Sequence, residues 1–373
     1  MCNDLTKPGS PATAKYVRVL VLKPHSLGHS MYKGPFSYIA RKAWKMLGRW
    51  KLHVKASDAA AAGRLLKLVK AMSNLNSLVI TSAPMDSSPL SSLATTFIQK
   101  SLSAHTSTLR SLSISVPFLS TLDSTLMIHS LEEFKVVFYA TFNPDKAYPI
   151  VISFCARHSQ TLTSFALDIF QNDIGISHLF ANLPHLPLLA HIDIAVTVGL
   201  IESQQATSIE SYLQNHADSL RSARFSVSDR CSLPDLTLSE LFSHPIFCVE
   251  LPHLTTLELG LFYRYSTNPF HEPGPLALYL KRFRRSLIRF TLSDYIIPFL
   301  HLDDVLTAFD GSPLQYLKVH TDMLRVEVLD YAFEHLSRLR ELDWTVEDFP
   351  ASPSNKKFHL HRYQEKLDVC HSL

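Results

Sequence analysis

Nineteen histidines, five cysteines and 33 acidic side chains give this 373-residue chain material for acid–base, nucleophilic or metal chemistry. The question is whether their spacing lets any of them act together. His25 and His29 lie four apart, the spacing of a helical metal pair, but Pro24 and Gly28 break the helix such a pair needs. His359 and His361 would share one face of a strand, with Cys370 and His371 nearby, yet nothing there fixes four ligands in a tetrahedron. Most other histidines, such as His178, His216 and His335, fall singly and read as caps or surface residues. Glu132/Glu133 and Asp303/Asp304 are sequence neighbours, which suits solvated positions or helix N-terminal charges better than a shared-proton pair. Cys2, Cys155, Cys231, Cys248 and Cys370 are odd in number and widely scattered, with no CxxC, as expected of reduced thiols in an intracellular protein. Phosphate-cradling, nucleophile-elbow and zinc-protease motifs are absent from the sequence, and only 10 glycines are available to build such loops. The reading is a protein without catalytic residues, metal ligands or cofactors of its own.

Basic side chains are the next candidates. Lys281, Arg282, Arg284 and Arg285 crowd one helical stretch, and Arg41, Lys42, Lys45, Arg49 and Lys51 surround Trp44 and Trp50. Basic residues interleaved with aromatics can bind nucleic acid. The net charge is only +3, however, and Phe283 fits an apolar stripe, so the first cluster reads as the solvated face of a helix. Nucleic-acid binding is the alternative function, and a cryptic hydrolase or transferase site is the more remote one.

The elements that must position any site emerge from a repeat. An apolar phrase, L-x-x-L-x-L in its simplest form, starts at Val17, Leu47, Leu75, Leu109, Leu131 and Leu162, and again at Leu189, Leu220, Leu254, Leu287, Leu314 and Leu339. These twelve starts are about 29 residues apart on average, with irregular intervals. The alternation at the end of each phrase predicts a strand with one buried face. Helical spacing between phrases groups Leu65, Leu66, Val69 and Met72; Ile209, Tyr212, Leu213 and His216; Leu276, Leu280 and Phe283 after Gly274-Pro275; and Val328, Ala332, Phe333 and Leu336. A strand-plus-helix unit this small cannot bury its apolar face alone, so the units must stack. The expected fold is α/β: about twelve irregular repeats forming a solenoid over 16–347, with an inner parallel sheet and outer helices. A disordered 1–15 precedes it, and a tail or cap follows over 348–373.

The phrases, among them LRSLSISV, LPHLTTLELG and LRELDW, resemble leucine-rich repeats. Units of this length are similar to those of the ribonuclease-inhibitor-like horseshoe and of fungal F-box/LRR-like proteins. Two departures stand out: the Asn or Cys that usually follows the strand phrase is missing from nearly every unit, and only fifteen residues precede the first strand, too few for an F-box. Leu233–Phe242 imitates an F-box opening but falls where the stack needs a helix. The resemblance implies a non-enzymatic protein-interaction scaffold related to substrate-recognition subunits of ubiquitin ligases but lacking the F-box. Its expected partner is a protein or peptide rather than a Skp-type adaptor, a nucleic acid or a membrane, and its expected compartment is the cytoplasm or nucleus. The most membrane-like stretch, Leu179–Ile201, is broken by prolines, histidines and Asp193.

On such a stack the central variable position of each phrase is open to a partner: Val21, Lys51, Val79, Ser113, Lys135, Ala166, Asp193, Arg224, Glu258, Thr291, Lys318 and Asp343. From this row Lys135, Arg224, Glu258 and Lys318 are candidate partner-binding residues. Tyr263, Arg264 and Tyr265 join them from a long loop whose residue types favour binding hot spots. Phe138–Tyr148 is a second aromatic-rich connection.

Overall fold

Strands and helices alternate along the chain in the computed structural model, which describes residues 14–22, 49–52, 59–81, 92–122, 125–138, 143–169, 176–197, 203–228, 237–262, 274–298, 301–323, 330, 332 and 334–348. The chain divides into two units, Met1–Leu189 and Ala190–Leu373.

The first unit contains β1 (Val19–Leu22), β2 (Arg49–Leu52), α1 (Ala59–Lys70), β3 (Ser77–Ile80), α2 (Ser92–Ala104), β4 (Ser111–Ser115), a 3₁₀ helix (Val116–Thr121), β5 (Glu133–Phe138), α3 (Pro144–Arg157), β6 (Ser164–Ile169) and α4 (Ile176–Asn182). All its strand pairs are parallel, in the order β2-β1-β3-β4-β5-β6. The second unit contains β7 (His191–Thr197), α5 (Ser203–Asn215), β8 (Ser222–Ser228), α6 (Leu238–Ser243), α7 (Pro245–Cys248), β9 (Thr256–Phe262), α8 (Gly274–Lys281), β10 (Arg289–Ile297), α9 (Leu302–Thr307), β11 (Tyr316–Met323) and β12 (Glu341–Asp348). Its strands are also parallel and run in chain order from β7 to β12.

The phrase sets the register. Leu78, Leu112, Phe134 and Phe165, the fourth residues of their phrases, are partners across β3 to β6. Ile192, Ala223, Leu257, Phe290, Leu317 and Leu342 line up in the same way across β7 to β12. A one-residue slip would turn every one of these side chains to the opposite face, so burial of this row enforces the alignment. The first residues of the phrases, Leu75, Leu109, Leu131 and Leu162 in one unit and Leu189 in its last turn, are fully buried, as are Leu220, Leu254 and Leu287 in the other.

A backbone ladder runs beside the apolar one. In nine phrases among the described residues, the carbonyl after the opening apolar residue accepts from two consecutive N–H groups of the neighbouring phrase, at 2.8–3.1 Å. Arg18, Asn76, Arg110 and Glu132 supply these carbonyls in the first unit, and Ala190, Arg221, Thr255, Ile288 and Gln315 in the second. Turn backbone that would otherwise lie unpaired above the core is thereby satisfied without a side-chain ladder.

Pairing departs from chain order at one place: β1 pairs on one side with β2 and on the other with β3, and Asn76 and Ser77 donate to the carbonyl of Arg18. Leu20, Val21 and Leu22 are buried in succession, the composition of a central strand, whereas Arg-Trp-Lys-Leu in β2 suits an edge.

Helices lie where apolar spacing placed them. Val69 and Met72 are buried while Leu65 and Leu66 are half-buried; Ile209, Tyr212, Leu213 and His216 are all buried, as are Leu276, Leu280 and Phe283. The Leu233–Phe242 segment contributes α6, closed at its start by a Thr237/Glu240 capping box, as the repeat reading requires. Ala332 and Leu336 are buried, and Val328 and Phe333 lie outside the described residues. The Leu179–Ile201 stretch supplies parts of α4 and β7, and among the described residues no helix is long and apolar enough to cross a membrane.

Candidate interaction surface

Each parallel sheet turns alternate residues away from the core, and in both units the charged residues there meet in pairs. In the first unit Lys135 Nζ on β5 lies 2.7 Å from Asp168 Oδ2 on β6. At the strand entrances Arg110 and Glu132 are 3.0 Å apart. In the second unit Arg224 on β8 reaches Glu258 on β9 at 3.2 Å and Asp193 on β7 at 3.7 Å, bridging three adjacent strands. Lys318 on β11 is 2.6 Å from Asp343 on β12, and that hydrogen bond raises its pKa above the ordinary lysine value. Arg289 on β10 stacks over the Tyr316 ring on β11 at 4.0 Å and continues to Glu341 on β12 at 3.8 Å. Opposite charges recur across the strands because phrase register places equivalent positions side by side.

Four of the candidate residues are thus on the sheet faces: Lys135 in the first unit, and Arg224, Glu258 and Lys318 in the second. Tyr263, Arg264 and Tyr265 lie outside the described residues. The expected open row is not open throughout, since Val21 is 5% and Ala166 8% exposed. Phe138 and Tyr148, at the ends of the second aromatic connection, pack into the core edge-on at 5.6 Å, and burial pushes the Tyr148 hydroxyl well above its usual pKa.

The β9 and β10 strands vary the pattern. A Cβ at Gly260 would stand 2.7 Å from Ser226 Oγ and 3.3 Å from Ser293 Oγ, so a side chain there would have to displace the Ser226 hydroxyl. Pairing of β10 with β11 shifts between Thr291 and Ile296, and Asp294 adopts a φ of 60° within the irregularity.

The basic helix is corrected from a wholly solvated face. Arg282 donates to the carbonyls of Phe247, Cys248 and Val249, and its guanidinium lies 5.8 Å from the rings of Tyr279 and Phe283. It therefore closes the C-terminal end of α7. Lys281, Arg284 and Arg285 are exposed, and Arg41, Lys42 and Lys45 lie outside the described residues.

Three histidines form a repeated device that single-residue reading misses. His105, His158 and His216 are buried four residues before Leu109, Leu162 and Leu220, and each carbonyl accepts from the N–H of that leucine. His105 Nε2 bonds the Val69 carbonyl at 2.9 Å, and His216 Nδ1 bonds that of Tyr212 at 2.7 Å. The recurring H-x-x-x-L spacing is the sequence signal. Phe283 takes the corresponding place before Leu287.

Asp303 and Asp304 lie in the first turn of α9. Burial drives the Cys155 thiol far above its ordinary pKa, which suppresses its thiolate. No group of three or more His, Cys, Asp or Glu among the described residues could hold a metal ion. His25, His29, His359, His361, Cys370 and His371 lie outside the described residues. No family model matches the chain, and no curated protein matches it significantly.

Proposed function

We propose that the chain is a leucine-rich-repeat-type stack acting as a non-enzymatic protein-interaction scaffold, related by resemblance to F-box/LRR substrate-recognition proteins. The observation that carries this reading is the cross-strand charge array, above all Asp193–Arg224–Glu258 with Arg289–Tyr316–Glu341 and Lys318–Asp343. A parallel face carrying cross-strand ion pairs and the half-buried Tyr316 ring suits a protein or peptide, whose own charges can exchange with these pairs. Ion pairs of this exposure are each worth roughly 0.2–1 kcal/mol to the fold, so their side chains are available to a partner at small cost.

Affinity capture from cells with the whole chain tests the proposal, using Arg224→Ala/Lys318→Ala as the comparison. A protein recovered in stoichiometric amount by the wild type and lost with the variant supports the sheet face as the docking surface. Retention by the variant would move the surface elsewhere, and no protein recovered at all would count against a scaffold. A Skp-type adaptor in the recovered complex would contradict the version of the proposal without an F-box. Recovery of nucleic acid with steep salt sensitivity would favour the alternative through Lys281, Arg284 and Arg285.

A further inference from the structure

The segment between β4 and β5 is tied down differently from its neighbours. Its described residues contain a 3₁₀ helix and a turn over 125–130, and their backbone is held by groups from both sides. His129 N–H donates to the Thr106 carbonyl at 2.8 Å, and Arg157 Nη1 donates to the Leu126 carbonyl at 2.9 Å. Ile128 N–H donates to His158 Nε2 at 3.0 Å, while Nδ1 of the same ring lies 2.8 Å from the Phe154 carbonyl. A carbonyl only accepts, so Nδ1 carries the proton and Nε2 offers its lone pair to Ile128. These two bonds together require the neutral ring.

We propose that His158 is an acid-sensitive latch: a proton on Nε2 replaces the acceptor with a donor facing the Ile128 N–H, and residues 125–131 are released from α3 while the sheet remains. The charged or titratable groups facing the ring are Arg157 on its own helix and His129 on the turn. Both are positive when protonated, so both oppose a second charge there. Burial, the largest influence, also lowers the pKa of His158 from its ordinary 6.5, and the Phe154 ring packs 4.3 Å away. The chemistry differs from that at His105, whose Nε2–H donates to a carbonyl and would still do so as an imidazolium. Phe283 occupies the corresponding turn position with the same backbone bonds, so the turn itself does not need an imidazole. The acceptor for Ile128 is what the histidine adds.

Amide hydrogen exchange on the full chain tests the latch, comparing 125–131 at pH 7.5 and 5.5 after correction for intrinsic rates. If opening lets the ring titrate at its ordinary value of 6.5, protection should fall on the order of tenfold over that interval. Residues 222–228 should keep theirs. In His158→Gln the side-chain oxygen can accept from Ile128 at either pH, so the acid-dependent loss should disappear. Unchanged wild-type protection at pH 5.5, or an equal loss in His158→Gln, would overturn the latch. Should that variant fail to fold, histidine-resolved NMR of the wild type decides. His158 titrating below 6.5 together with a shift of the Ile128 amide supports the proposal, and titration at or above 6.5 without that shift overturns it.

Discussion

Arg282 illustrates how a charged side chain on a helix can serve the fold through its geometry. Its planar fork satisfies three consecutive carbonyls at the end of α7, a task a point charge performs poorly. Arg282→Ala should therefore lower stability by about 1–3 kcal/mol, read as a lower urea midpoint, with Arg282→Lys restoring only part of it. Unchanged stability in Arg282→Ala would show that water replaces the fork. Buried histidines act at the same scale. Burial holds His105 and His158 below the ordinary 6.5, and pushes His244 down to about 4. Below pH 6.5 the unfolded chain binds protons that these folded sites refuse, in a window that at His244 extends down to about 4. Their contribution is complete above 6.5 and declines as the pH falls through that window. The urea midpoint should be higher at pH 7.5 than at pH 5. His244→Asn, which keeps an N-cap acceptor without a titrating ring, should weaken that dependence. A midpoint that rises toward pH 5 would contradict the assignment.

At the scale of elements, inward and outward residues of one phrase should respond differently to truncation. Leu112 is fully buried on β4, and Lys135 on the adjacent strand makes a partly exposed ion pair. Leu112→Ala should cost about 2–5 kcal/mol and Lys135→Ala no more than about 1 kcal/mol, by equilibrium unfolding in urea. Similar costs for both would mean that the phrase does not divide core from surface. The phrase made register legible from sequence because a leucine on the wrong face of a strand carries a penalty at every repeat. It did not reveal that β2 lies outside β1. Pairing order follows composition: Leu20–Leu22 is a buried apolar run, whereas Arg-Trp-Lys-Leu in β2 carries the charges of an edge. The charged positions of the face were legible, but their pairing was not, since Arg224 finds its partners one strand away on either side. The shared role of His105, His158 and His216 lies in their common distance from the next phrase, which no one of them shows alone.

At the scale of the molecule, each unit is a parallel sheet in which strands pair with their neighbours in sequence, except that β1 lies between β2 and β3. That organisation separates two tasks. The apolar positions hold neighbouring segments together, while the alternate positions are free to vary into a binding face. The most direct test is a binding titration of the partner captured by the wild type against Arg224→Ala/Lys318→Ala, with the urea midpoint of both proteins measured in parallel. The account predicts at least roughly tenfold weaker binding, about 1.4 kcal/mol, with a stability loss of no more than about 1 kcal/mol for each broken charge cluster. Undiminished binding by a stably folded variant would contradict it.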